Sequence, residues 1–250
     1  MDLSVVLLIS IAFFAIAFLY SSVGHGGASG YLAVLSFIAM QPYEMSTTAL
    51  ILNICVAMIA AIAFSQAGHV SMRLTLPFVL TSVPAAFLGG ALPVPRQIYG
   101  FFLATVLILS SVRLLLRFET PSADAQRENH PSLIVSLFVG GIIGIVSGIV
   151  GVGGGIFLSP LIILARWGSA KQAAATSAIF IVANSVAALL GRAVQQTLGV
   201  GELLPFLIAA VLGGYAGSRY GAQRFSNLFL RRLLAIVLLL AAARLFLTSL

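Results

Sequence analysis

Residues Gly148–Leu164 read GIVGVGGGIFLSPLIIL, and residues Ser21–Leu35 read SSVGHGGASGYLAVL. In each, a cluster of glycines interrupts an apolar run: Gly151, Gly153, Gly154 and Gly155 in the later stretch, Gly24, Gly26 and Gly27 in the earlier. Glycine is a poor helix former even in water, by about 1 kcal/mol against alanine. Inside hydrocarbon, unwound backbone persists only where protein or a watered cavity satisfies its N–H and C=O groups. Each interruption therefore marks a place where a membrane helix stops and restarts within protein. Broken helices in corresponding positions of two halves are the sequence pointer to a transporter's binding site.

The surroundings read as membrane. Of 250 residues, 60% are hydrophobic and only 8% are charged, against about 25% charged in a soluble domain. Charge-free stretches of 41 residues separate Asp2 from Glu44, 28 separate Glu44 from Arg73, and 37 separate Glu128 from Arg166. A bilayer core of about 30 Å takes about 20 apolar residues per helix, so the chain crosses the membrane several times. The net charge of +7 would suggest nucleic acid in a soluble protein. Here it reads as basic loops that set topology, and nucleic acid is excluded as a partner. Cys55 is the single cysteine and forms no intrachain disulfide. The N-terminus carries no basic segment ahead of its apolar run, so that run reads as a retained helix rather than a cleaved signal.

The hydrophilic stretch RFETPSADAQRENHP (Arg117–Pro131) holds five charges and two prolines, and so reads as a linker. It divides the chain into a first membrane repeat (1–117), a linker (118–131) and a second repeat (132–250). Each half runs in the same order: apolar run, glycine break, short run, then three longer runs. In half one these fall at 3–20, 31–40, 46–66, 74–92 and 98–116; in half two at 133–150, 156–165, 173–191, 203–220 and 229–249. At an offset near 128, GHGGA meets GVGGG, STTAL (Ser46–Leu50) meets ATSAI (Ala175–Ile179), LPF (Leu76–Phe78) meets LPF (Leu204–Phe206), and Arg113 meets Arg244. The fold class expected is an all-α polytopic membrane protein of two inverted-topology repeats, each with a glycine-broken helix pair, re-entrant or short, and three long transmembrane helices. An odd number of crossings per half makes the halves inverted, related by an axis in the membrane plane. Ten basic residues fall on the linker side (Arg73, Arg113, Arg117, Arg127, Arg166, Lys171, Arg219, Arg224, Arg231, Arg232) and three opposite (Arg96, Arg192, Arg244). That asymmetry places the linker in the cytoplasm and both termini outside.

The breaks offer free amide N–H groups and the positive ends of the helices that follow, both of which favour anions. Close helix packing is the simpler use of lone glycines; paired breaks in register favour a site. A Walker loop needs GK[ST], and GxGxxG fails at Ile156, so neither nucleotide motif is present. His25 is the one titratable side chain in its apolar run, suited to relaying a proton or donating to an anion, or to a structural hydrogen bond. Thr47, Thr48, Thr176 and Ser177 stand near matching helix starts, where they cap N–H groups or meet an anion. Asn53 and Asn184 lie further along the same runs, as interhelical ties or substrate contacts. Arg192 ends a charge-free run and either snorkels to headgroups or draws anions inward. Glu44 and Glu202 are acidic loop candidates for proton coupling, and His69 and His130 read as solvated loop residues. One cysteine and three scattered histidines lack metal-ligand spacing, and no catalytic triad or cofactor motif is visible.

The combination GxGGG, a short helix with Pro160, then A-T-S at Ala175–Ser177, resembles the sulfite exporter TauE/SafE family across essentially the whole chain. In the first copy Ala28 replaces a glycine, His25 is polar and no proline follows, so the two half-sites are unequal. The resemblance implies a secondary transporter of the cytoplasmic (inner) membrane, moving small sulfur-containing or organic anions, often as an exporter. Its motif residues fall on Gly151, Gly153, Gly154, Gly155, Pro160, Thr176 and Ser177, and on Gly24, Gly26, Gly27, Thr47 and Thr48. The expected partners are a small anionic substrate, the lipid bilayer and protons as coupling ion, with no cofactor. Two alternatives differ in class: an anion channel, since paired half-helices also build filters, and a membrane-embedded enzyme relying on His25.

Overall fold

The structure, a computed structural model, describes residues 3–38, 40–115, 131–194 and 203–223, with Ile236, Leu238, Leu239, Ala242 and Ala243. Over these residues it is all-helical: α1 (Leu3–Ser21), α2 (Ala28–Ser36), α3 (Pro42–Gln66), α4 (Met72–Ala91), α5 (Arg96–Leu115), α6 (Leu133–Val150), α7 (Gly155–Leu164), α8 (Ala170–Ala193) and α9 (Leu203–Gln223). Five of them, α1, α3, α4, α6 and α8, are long and apolar enough to cross a membrane. The linker through His130, Glu202, Arg224, Arg231, Arg232, Arg244 and most of the apolar run 229–249 lie outside the described residues.

Helix starts follow local chemistry. Pro42 opens α3 at a position whose N–H is unneeded. Ser132 caps α6 by accepting from Val135 N–H at 3.3 Å. Ser169 and Gln172 form a reciprocal capping box at α8. These caps correct one expectation. Thr47, Thr48, Thr176 and Ser177 lie more than a turn inside α3 and α8 and cap neither helix, because both helices begin earlier than their apolar runs.

The outer surface, unlike a soluble protein's, is apolar, and polar side chains join the apolar core inside. Leu7, Leu8 and Ile11 on α1, and Ile134, Phe138 and Ile142 on α6, are exposed on the outer surface. Ser46, Thr47, Asn53, Thr176, Ser177, Asn184 and Ser185 are buried in the bundle. Lipid accepts the first set and excludes the second.

Helix directions follow from close approaches. A Cβ on Gly140, Gly144 or Gly148 of α6 would strike the carbonyls of Phe78, Ser82 and Ala86 in turn, so α4 and α6 run side by side in one direction. Gly213 and Gly217 of α9 meet Phe14 and Phe18 of α1 in the same way. Only glycine lets backbones come this near, the small-residue device of membrane helices. α3 and α8 run oppositely. Tyr43 meets Arg192 at one end (3.1 Å) and Asn53 meets Ser185 centrally (3.0 Å). At the other end Ala60, Ala61 and Phe64 pack on Ala174, Ala175 and Ala178.

Candidate functional site

Both short helices begin at a left-handed glycine. Gly27 (φ 96°) precedes α2 and Gly154 (φ 79°) precedes α7, and no side chain caps either start. Gly24 (φ 78°) and Gly151 (φ 87°) turn the chain as α1 and α6 end. A side chain at these angles is strained, which is why glycine holds the positions. At Gly154 a Cβ would also stand 2.7 Å from Ile143 and 2.8 Å from Phe180.

The two glycine segments, 127 residues apart in the chain, converge between α3 and α8. Gly24 packs on the Ala174 backbone of α8, while Gly151 packs on Ser46 of α3. Gly26 lies against the Asn53 carboxamide, and Gly153 lies against its other edge and Ser185. Asn53 Nδ2 donates to the Val152 carbonyl (3.3 Å) and the Ser185 hydroxyl (3.0 Å). One asparagine thus touches both segments. At 1.5 Å per residue it stands about 16 Å from the start of α3, near its middle.

His25 joins the segments a second time and is 1% exposed. Its Nδ1 lies 2.8 Å from the Val23 carbonyl. Its Nε2 lies 3.1 Å from both the Gly155 carbonyl and the Ser159 hydroxyl. A neutral ring donates from Nδ1 to Val23 and accepts from Ser159. A protonated ring donates to Val23 and Gly155 together. Both states find partners without movement.

Several polar atoms around these segments are buried and unpartnered among the described residues: Asn53 Oδ1, both amide atoms of Asn184, Ser177 Oγ and Thr47 Oγ1. Ser177, Ile181 and Asn184 follow one another at helical spacing, and Ile181 meets Gly153 and Gly155. Thr176 is turned away from this stripe. It shares a hydrogen bond with Thr75 of α4 (2.9 Å), so it ties helices together. Thr48 is buried on α3. Buried polar groups are nearly always satisfied, which singles out this cluster as the candidate site.

Arg192 does not snorkel to the headgroups, and it does not stand apart from the glycines. It is 7% exposed, and its Nη2 donates to the Gly148 and Ile149 carbonyls (3.0 and 2.8 Å), just ahead of Gly151. The Tyr43 ring lies 5.9 Å from the guanidinium carbon, and Tyr99 donates to the Val150 carbonyl at 3.3 Å. The sequence places no charge beside either glycine segment; folding brings one there. Sequence reasoning also passed over Ser159, Ser185, Tyr43 and Tyr99. Ser159 sits one turn after Gly155, a usable signal, while the other three show none. Glu44 is exposed at the start of α3 and His69 lies between α3 and α4. Among the described residues no group of three or more His, Cys, Asp or Glu is placed to hold a metal.

Residues 8–245 match the family model described as sulfite exporter TauE/SafE. A probable membrane transporter protein of Sinorhizobium fredii is 37% identical over 239 residues, 95% of this chain and 96% of that one. Probable membrane transporter proteins of Bacillus subtilis (23% identical; 86% and 89% covered) and of a Sinorhizobium species (26%; 94% and 90%) are also similar. No solved structure matches.

Proposed function

The chain belongs to the sulfite exporter TauE/SafE family of membrane transporters, and on that premise we propose a secondary carrier of small anions such as sulfite or an organosulfonate. The anion is held between the two glycine segments, by the uncapped N–H groups that begin α2 and α7 and by the Thr47, Ser177, Asn53 and Asn184 side chains. Asn53 carries this reading, because it touches both segments while leaving its own Oδ1 unpartnered. The two halves work as inverted repeats. Supporting this, α4 packs along α6 as α9 packs along α1, and Gly24 meets α8 as Gly151 meets α3. Rocking one half against the other exposes the site alternately, in the export direction, with the linker cytoplasmic. His25 holds the coupling proton, since either protonation state keeps its partners.

Flux of labelled sulfite in proteoliposomes tests the proposal. A carrier saturates and shows counterflow; single-channel current without counterflow would make the protein a channel. Gly26→Leu and Gly153→Leu, each pressing on Asn53, abolish flux while the protein still purifies as one species. Normal flux in both variants refutes the site. His25→Gln removes the dependence of flux on the proton gradient, and an unchanged dependence refutes the proton role.

A further inference from the structure

Arg192 is a full positive charge taken out of water, and among the described residues no acidic side chain pairs with it. Its direct partners are the Gly148 and Ile149 carbonyls and the face of Tyr43. Its Nε is buried without a partner. Glu44 is the one acidic residue described; it is exposed and makes no ion pair with Arg192. The C-terminus of α6 supplies about half a negative charge, so the described residues leave roughly half a positive charge without a counterpart. An ion buried without full compensation is costly, by several kcal/mol.

Capping the end of α6 does not by itself call for that charge, because the other half supplies an internal comparison. At the matching end of α1, the Ser21 carbonyl accepts from Gly24 N–H (3.0 Å) and the Tyr20 carbonyl from His25 N–H (2.8 Å). The Val23 carbonyl faces His25 Nδ1 (2.8 Å) as the Val150 carbonyl accepts from Tyr99. Ser22 meets the Leu19 carbonyl at 2.7 Å. Neutral groups meet the Tyr20, Ser21 and Val23 carbonyls there, and in the register that sets Ser46 on Ala175 the place of Arg192 is taken by Ala63. Among the described residues no cation reaches the end of α1, whereas α8 brings one to the Gly148 and Ile149 carbonyls at the end of α6.

We infer that Arg192 is the fixed countercharge of a bound small anion, held where α6 ends and the second glycine segment begins. Tyr43 and Tyr99 flank it, and the anion supplies the charge that no described residue provides. The inference takes its ligand class from the carrier reading above, yet it concerns binding and is measured without transport. Charge, not shape, is the property at stake, so lysine partly replaces arginine and glutamine does not.

Thermal melting of the purified protein in detergent decides it, with sodium gluconate replaced by sodium sulfite, or in parallel sulfate, at constant ionic strength. At an anion concentration about a hundred times Kd, mass action raises the wild-type melting temperature by roughly 5 °C or more. Arg192→Gln loses at least nine-tenths of that rise. Arg192→Lys, which keeps the charge but not the fork onto two carbonyls, melts lower in gluconate and keeps more than half of the rise. An equal rise in Arg192→Gln and wild type overturns the inference. So does no rise in wild type, or none in a folded Arg192→Lys. A rise that depends on Arg192 without any sulfite flux in proteoliposomes would sink the carrier reading and leave the anion site standing.

Discussion

Replacing Asn184 by leucine should make the protein more stable and less active. Asn184 is fully buried, and both its amide nitrogen and oxygen lack partners. An unpartnered buried amide costs about 1–3 kcal/mol. Leucine is close in volume and brings no polar atom, so Asn184→Leu recovers about that amount. For a chain of this length, 1 kcal/mol moves melting by about 2–4 °C, which gives a rise of roughly 2–12 °C. Asn53→Leu is the matched control with the opposite sign. It removes the bonds to Val152 and Ser185 and leaves the Ser185 hydroxyl buried, so it costs about 1–3 kcal/mol. Both variants should lose sulfite flux at least tenfold, since both remove a group assigned to the anion. Melting curves in detergent and counterflow in proteoliposomes read the two effects separately. An Asn184→Leu protein that melts below wild type, or that transports normally, refutes the reasoning that these atoms are left unpaired for a ligand.

Other outcomes follow from the backbone and the loops. Gly154→Ala combines a left-handed φ with contacts to Ile143 and Phe180 and should cost about 3 kcal/mol. Gly68→Ala, equally left-handed at 74° but with nothing within 4 Å, should cost only about 1 kcal/mol; equal losses in melting temperature would contradict the packing account. Gly144→Leu drives a side chain into the Ser82 carbonyl, and should abolish the single species seen by size exclusion. Burial, and then the nearby Lys171, hold His69 below its ordinary pKa. The unfolded chain then binds more protons, so stability falls as pH drops below about 6.5. Lys171→Ala should shrink that loss between pH 7.5 and 5.5, and an unchanged slope would remove Lys171 from the account.

Much of the fold was legible because its signals are local. Hydropathy and charge spacing located the membrane helices, and α6 and α7 begin and end within a residue of their apolar runs. Helix starts were less legible at α3 and α8. Pro42 and the Ser169–Gln172 box begin those helices among polar residues that hydropathy passes over. That shift moved four hydroxyl residues from cap positions to helix interiors. Thr176 then turned to Thr75, and Ser177 and Thr47 were left unpartnered.

The candidate site divides in the same way. Glycine clusters in hydrocarbon announce interrupted helices wherever the chain goes, because backbone N–H and C=O groups have no other solvent there. Solvent preference is a property of each segment, so composition was enough to assign a helical membrane protein. Which groups meet is a property of pairs. His25 reaches Gly155, and Asn53 reaches Ser185, across 130 and 132 residues. Arg192, 41 positions beyond Gly151 in the chain, lies against the carbonyls just before it. No periodicity encodes such encounters. They arise because glycines let backbones close to contact distance: those of α6 bring it onto α4, and Gly90 and Gly191 bring α4 onto α8 beside Arg192, so packing carries one cation to the turn after α6.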